Sequence, residues 1–192
     1  MKDMAPTPLT EAEQISDIAF GFMASKALFA ALHNGLFTHM DKGPATAEAA
    51  AAASGLHPDR ARTLLPALAS LGLVTAEGDR FANSPAAEAF LVKGARYDFG
   101  DYLRLQVDRQ MYGLMDQIEG ALAGTLGAEH TKSYAEWFSD PAEAKLYSDS
   151  QHAGSLGPAR GLARQEDHSG GQKHLAVGGG TEYRMALLIP DR

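Results

Sequence analysis

"ATAEAAAAASGLHPDRARTLLPALASLGLVTAEGDRFAN", residues 45–83, holds the pattern that decides the fold. Thr46 is placed to cap a short alanine helix that stops at Ser54-Gly55. Pro58 suits the first turn of a second helix, which carries Leu64, Leu65, Leu68 and Leu71 inward and ends at Gly72. Pro66 lies inside that helix and is expected to bend it. "LVTA" and "RFAN" then flank Glu77-Gly78-Asp79, the signature of a hairpin. Helix, helix, hairpin in this order predicts a winged helix-turn-helix module.

Working outward, Thr10-Glu11-Ala12-Glu13 reads as a capping box opening a helix of about six turns. Ile15, Ile18, Ala19, Phe22, Met23, Phe29 and Ala30 recur along it, and Asn34-Gly35 closes it. Leu36 and Phe37 are expected to enter the core. Ser84-Pro85 starts another short helix, to about Leu91. Asp98 is placed to cap a longer one, with Phe99, Leu103, Val107, Met111, Leu114, Ile118 and Leu122 inward and Gly124 as its stop. Asp140-Pro141 opens the next helix. Gly154, Gly157, Pro158 and Gly161 predict a kink or break in it. "HLAV" then reads as a strand running into Gly178-Gly179-Gly180.

Length and composition bound the function. At 192 residues the chain buries a core without covalent staples, and with no cysteine it offers neither disulfides nor thiolate metal sites. The net charge of −7 argues against nucleic acid. No charged segment precedes an apolar run at the N-terminus, so no signal peptide is expected, and polar residues interrupt the alanine-rich stretches before a membrane span is reached. The expectation is a cytoplasmic protein.

The candidate DNA-reading helix sets Arg60 and Arg62 beside Asp59, and the hairpin tip carries Glu77 and Asp79 beside Arg80. Acid and base cancel there, so the module is expected to pack against protein. The helices over 11–34 and 98–123 carry more apolar surface than so small a chain has core to cover, which predicts a two-fold dimer. Of the seven histidines none pairs with another at i, i+4, so no metal site is expected. The glycine run after a strand would let backbone approach a cofactor closely, although three glycines alone are a weak signal.

"LGLV", "FANS", "YAEWFSDPAEAKLYSDSQHAGS" and "LAVGGGT" occur in an order and spacing that resembles the S-adenosylmethionine-dependent O-methyltransferases of the caffeate and acetylserotonin type. The resemblance implies a winged-helix domain used for dimerisation, a helical connector over the substrate, and a Rossmann-like methyltransferase domain. It implies that Met111, Trp137, Tyr147 and Gln151 face the substrate, with Gln151 standing where the family carries methionine. It implies that Ser155, Gly178, Gly179 and Gly180 face S-adenosylmethionine. Two positions depart from the family pattern. Ala176 replaces an aspartate before the glycines, and Glu182 falls on the family's fourth glycine.

The resulting expectation is a mainly α fold: a winged-helix dimerisation domain over 1–96, a connector or substrate lid over 97–169, and at 170–192 only the first strand of a Rossmann-like domain whose remainder is missing. The complete enzyme would methylate a hydroxyl of a small aromatic metabolite, this chain alone being inactive and homodimeric. The alternatives are a non-enzymatic dimerisation or modulator protein, and a winged-helix DNA-binding regulator.

Overall fold

The computed structural model describes residues 8–127, 136 and 138–165. Helices α1 (Ala12–His33), α2 (Leu36–Met40), α3 (Ala47–Ser54), α4 (Pro58–Ser70) and α5 (Pro85–Phe90) surround strands β1 (Ala45–Thr46), β2 (Val74–Glu77) and β3 (Arg80–Asn83). The region expected to be a connector runs through α6 (Gly100–Tyr102), a π-helical segment (Leu103–Tyr112), α7 (Gly113–Met115) and α8 (Ile118–Leu122), and α9 spans Pro141–Gln165. The described chain is therefore mainly helical, with one antiparallel sheet in the order β1-β3-β2. The strand and glycine run expected over 174–180, and Trp137, lie outside the described residues.

Local chemistry accounts for most boundaries in the first half. The Thr46 hydroxyl accepts the Ala49 N–H at 3.3 Å and starts α3, and the Ser84 hydroxyl accepts the Ala87 N–H at 3.2 Å and starts α5. Gly55 takes φ 67° just past α3, a conformation that side-chain-bearing residues resist. Helix α4 carries Pro66 and still runs to Ser70. In the hairpin, Val74 pairs with Asn83 and Glu77 with Arg80, and Ala45 adds the third strand opposite Phe81.

The core gathers Leu36 and Phe37 from α2, Ala50 and Ala51 from α3, Ala61, Leu65 and Leu68 from α4, and Val74 from β2. Alanines on α3 let it lie close on α4, while the leucines of α4 fill the space between. Leu71, expected inward, is exposed, because α4 ends one residue earlier and Leu71 belongs to the turn at Gly72.

Three further expectations are corrected. The cap of α1 sits one residue later than read: the Gln14 side chain accepts the N–H groups of Thr10 and Glu11 at 2.9 and 3.1 Å. Glutamine serves there as well as glutamate, so sequence pattern did not separate the two registers. The helix expected over 98–123 is not one α-helix. Ten of its residues are π-helical, and Met111, Leu114, Ile118 and Leu122 point to solvent, leaving Leu105 as the buried side chain of the π-segment.

The third correction is α9, which runs unbroken through Gly154, Gly157 and Pro158. Packing overrides the local preference here. A Cβ built on Gly154 would stand 2.5 Å from Cδ2 of the Tyr102 ring, so the missing side chain is what lets α9 close on α6. Gly157 faces open space. Gly154→Ala is therefore expected to destabilise the chain by about 1–3 kcal/mol through overpacking. Gly157→Ala is expected to be neutral or to stabilise by up to about 1 kcal/mol through helix propensity. Denaturant titration of both variants checks the pair, and equal effects would contradict the Gly154–Tyr102 contact.

Candidate functional site

Helix α1 mixes apolar residues with Glu13, Gln14, Ser16, Asp17 and Lys26 and has no segregated polar face. Its last turns place Phe29, Ala31 and Leu32 in the core, while Ile15, Phe20, Phe22 and Met23 are exposed and Ile18 is 72% exposed. A soluble helix with no polar face calls for cover from another body. By length and composition α1 also meets the requirement for crossing a membrane, which the sequence reading did not anticipate. A second apolar patch follows the π-segment: Met111, Leu114, Met115 and Ile118 are exposed, and Leu122 is 82% exposed.

Polar ties join these helices. Asp108 on the π-segment takes Lys26 Nζ at 2.5 Å and His33 Nε2 at 2.8 Å, both from α1. Lys26 also lies over the Tyr112 ring, 4.8 Å from its centroid, and the Phe29 ring meets Tyr112 edge-on at 5.8 Å. The Tyr112 hydroxyl donates to the Phe22 carbonyl at 3.2 Å. One residue along from Asp108, Arg109 reaches the other way and binds Glu143 of α9 at 2.8 Å. At the start of the connector, Lys93 and Arg104 both bind Asp101, which is 8% exposed.

Burial raises the Asp101 carboxyl, but hydrogen bonds from Lys93 and Arg104 outweigh it and the net direction is down. The same balance holds at Asp108, where burial is outweighed by hydrogen bonds from Lys26 and His33.

The face of α9 that the sequence singled out is polar and internally bonded. The Gln151 amide donates to the Tyr147 hydroxyl at 2.9 Å, and the Ser155 hydroxyl donates to the Gln151 carbonyl at 2.6 Å. The Tyr147 ring lies 4.8 Å from that of Phe138. Tyr147, Gln151 and Ser155 thus form one stripe at i, i+4, i+8. Met111 is exposed on the π-segment and no described contact joins it to that stripe. Trp137, Gly178, Gly179 and Gly180 fall outside the described residues.

A cleft of about 190 Å³ opens beside Leu32, Phe37, Leu91 and Arg104, and another of about 330 Å³ beside Lys93, Asp149 and His152. Neither is lined by Met111, Tyr147, Gln151 or Ser155. Sequence reading missed Asp101 and Asp108. Asp101 had a local signal, since Arg104 lies three residues on. Asp108 had none, because its partners are 75 and 82 residues away.

Both aspartates have folded pKa values below the unfolded value of about 3.9. Their stabilisation is therefore complete above about pH 4 and is lost as pH falls through the lower folded values. The double variant Asp101→Asn/Asp108→Asn is expected to be less stable at pH 7 by about 1–3 kcal/mol and to lose less on acidification. Urea midpoints between neutral and acid pH measure this, and parallel curves for the two proteins would remove the assignment.

Comparison with known proteins places this arrangement. Residues 16–93 match the O-methyltransferase dimerisation domain. The chain is 34% identical over 191 residues to the N,N-dimethyltransferase OxyT of Streptomyces rimosus, covering 95% of this chain and 55% of that protein. It is 30% identical over 189 residues to the tetracenomycin polyketide synthesis 8-O-methyl transferase TcmO of Streptomyces glaucescens, covering 95% and 55%. Human N-acetylserotonin methyltransferase, solved in complex with SAM, superposes with a TM-score of 0.72 at 21% identity, covering 86% of this chain and 52% of that one. The chain thus spans about half the length of the curated relatives it matches over most of its residues. Residues 16–93 place the chain in the O-methyltransferase dimerisation-domain family, and 95% of it aligns with the two Streptomyces relatives.

Proposed function

We propose that this chain is the dimerisation and substrate-lid portion of a methyltransferase that moves a methyl group from S-adenosylmethionine to a hydroxyl of a small aromatic metabolite. The observation that carries the proposal is the exposed apolar face of α1, on a chain whose residues 16–93 match a dimerisation domain. Residues 1–96 form a winged-helix module that pairs with a second copy, 97–169 form the connector over the substrate, and 170–192 begin the cofactor domain. The setting is the cytoplasm.

TcmO is named for 8-O-methylation in polyketide synthesis, which favours a ring-bearing acceptor. OxyT is named an N,N-dimethyltransferase, so acceptor nitrogen is the principal rival to acceptor oxygen.

In this reading Met111, Trp137, Tyr147 and Gln151 contact the acceptor. Phe138 and Tyr147 supply ring surface, and Gln151 holds the Tyr147 hydroxyl. A glutamine beside a tyrosine favours an acceptor with a hydrogen-bonding substituent near its ring over a bare hydrocarbon edge. Ser155, Gly178, Gly179 and Gly180 are the positions assigned to the cofactor. When bound, S-adenosylmethionine supplies an electrophilic methyl group on a sulfonium. Ser155 is the one member of that set among the described residues. Its hydroxyl donates to the Gln151 carbonyl.

The 192 residues by themselves are proposed to be inactive, since the positions Ala176 and Glu182 depart from the family pattern. A second reading, a non-enzymatic partner that docks on a related subunit and modulates it, rests on the same exposed face. A DNA-binding role is disfavoured by charge: Arg62 is held by Glu48 at 2.7 Å and Asp59 at 2.6 Å, and Arg80 donates to the Pro44 carbonyl.

Two measurements test the proposal. Light scattering should give a dimer for the wild-type chain and a monomer for Phe22→Asp that still melts cooperatively, Phe22 being exposed within one chain. A dimeric Phe22→Asp variant would remove α1 from the interface. Titration calorimetry with S-adenosylmethionine should show no micromolar binding to this chain. Micromolar affinity would contradict the proposed inactivity.

A further inference from the structure

The ten π-helical residues Leu103–Tyr112 stand between the two exposed apolar patches, and the ties described above grip them from both sides. Asp108 and Tyr112, four residues apart, face α1. Arg109 faces α9. A π-turn holds more residues than an α-turn, so each residue advances less around the axis. Ten residues returned to α spacing would turn everything after them by roughly half a turn relative to the core. Asp108 would leave Lys26 and His33, and the apolar residues of α7 and α8 would face elsewhere.

The π form also carries a cost. The Gln110 side-chain nitrogen, next to Arg109, is buried without a hydrogen-bond partner. A form that leaves such a group unpaired persists where other contacts over-determine it.

We infer that residues 103–112 are a register-setting element: the Asp108 ties to α1 and the Arg109 tie to α9 hold the π form, and that form aims Met111, Leu114, Met115 and Ile118 beside α1 as part of the surface that a second copy covers. The inference rests on the proposed dimer for its docking part only. The register part stands on one chain. Asp108 and Arg109 are positioning residues, because they act through the direction of side chains they do not touch. The element links two places: whatever settles on α1 bears on Asp108, and the next residue bears on α9, two helical turns before Gln151.

The experiment uses the absence of cysteine in the chain. Lys42→Cys and Glu119→Cys, both exposed, carry a donor and an acceptor dye for single-molecule energy transfer at concentrations where only monomer is present. Asp108→Asn and Arg109→Gln are added separately, each first shown to melt cooperatively. Both are expected to change the transfer efficiency, and both are expected to weaken self-association by about tenfold or more. Lys145→Gln, which breaks an exposed pair within α9, is expected to change neither. Unchanged efficiency in both variants overturns the register assignment. Changed efficiency with unchanged self-association overturns its link to docking. A wild-type chain that stays monomeric at high concentration sinks the dimer reading, while the transfer measurement still decides the register.

Discussion

Helix α1 has no segregated polar face, and the core reaches only its last turns. That constraint governs the rest of the chain. Phe29, Ala31 and Leu32 spend the end of the helix on the core, and Lys26, His33 and the Phe22 carbonyl fasten its middle to the π-segment. The twelve residues Ala12–Met23 are all exposed among the described residues. Burying them against another molecule removes several large apolar side chains from water, each contributing roughly 1.5–3 kcal/mol when fully covered. The dimerisation domain matched at residues 16–93 begins within α1.

Charge is distributed to match. Two of the three cations that could make a nucleic-acid surface are committed within the chain: Arg62 to two carboxylates, Arg80 to a main-chain carbonyl. Two largely covered carboxylates tie segments of the chain together instead. Asp101 and Asp108 each bind two cations and sit at opposite ends of one stretch of connector. A depressed carboxyl at each is the direct result of those hydrogen bonds exceeding the cost of burial.

Much of the first half was legible from sequence because its signals are local. Thr46 and Ser84 cap the helices they precede, Gly55 ends one, and Glu77-Gly78-Asp79 turns a hairpin. The connector was read less well. Its apolar spacing gave a helix, but nothing in that spacing distinguishes i→i+4 from i→i+5 bonding, and residues that looked inward by period face solvent. The Asp108 contacts span 75 and 82 residues of sequence and leave no trace in local pattern. Glycines and a proline in α9 suggested a break, and the close approach of Tyr102 to Gly154 reversed that preference. Of the candidate site, Tyr147, Gln151 and Ser155 were legible as a stripe at helical spacing, while the hydrogen bonds that join them were not.

Asn83 has a place in the sheet that reaches beyond its strand. Its side-chain amide donates to the Phe37 carbonyl at the α2 end and to the Glu88 carboxylate on α5, both at 2.8 Å, while its backbone lies opposite Val74. Sliding β3 by a single position would turn that amide to the other face of the sheet and strand both acceptors. The three-stranded sheet is too short to fix its own alignment by side-chain alternation. One asparagine acts as its alignment pin, and with it fixes how far the hairpin stands from the helices that hold the rest of the chain.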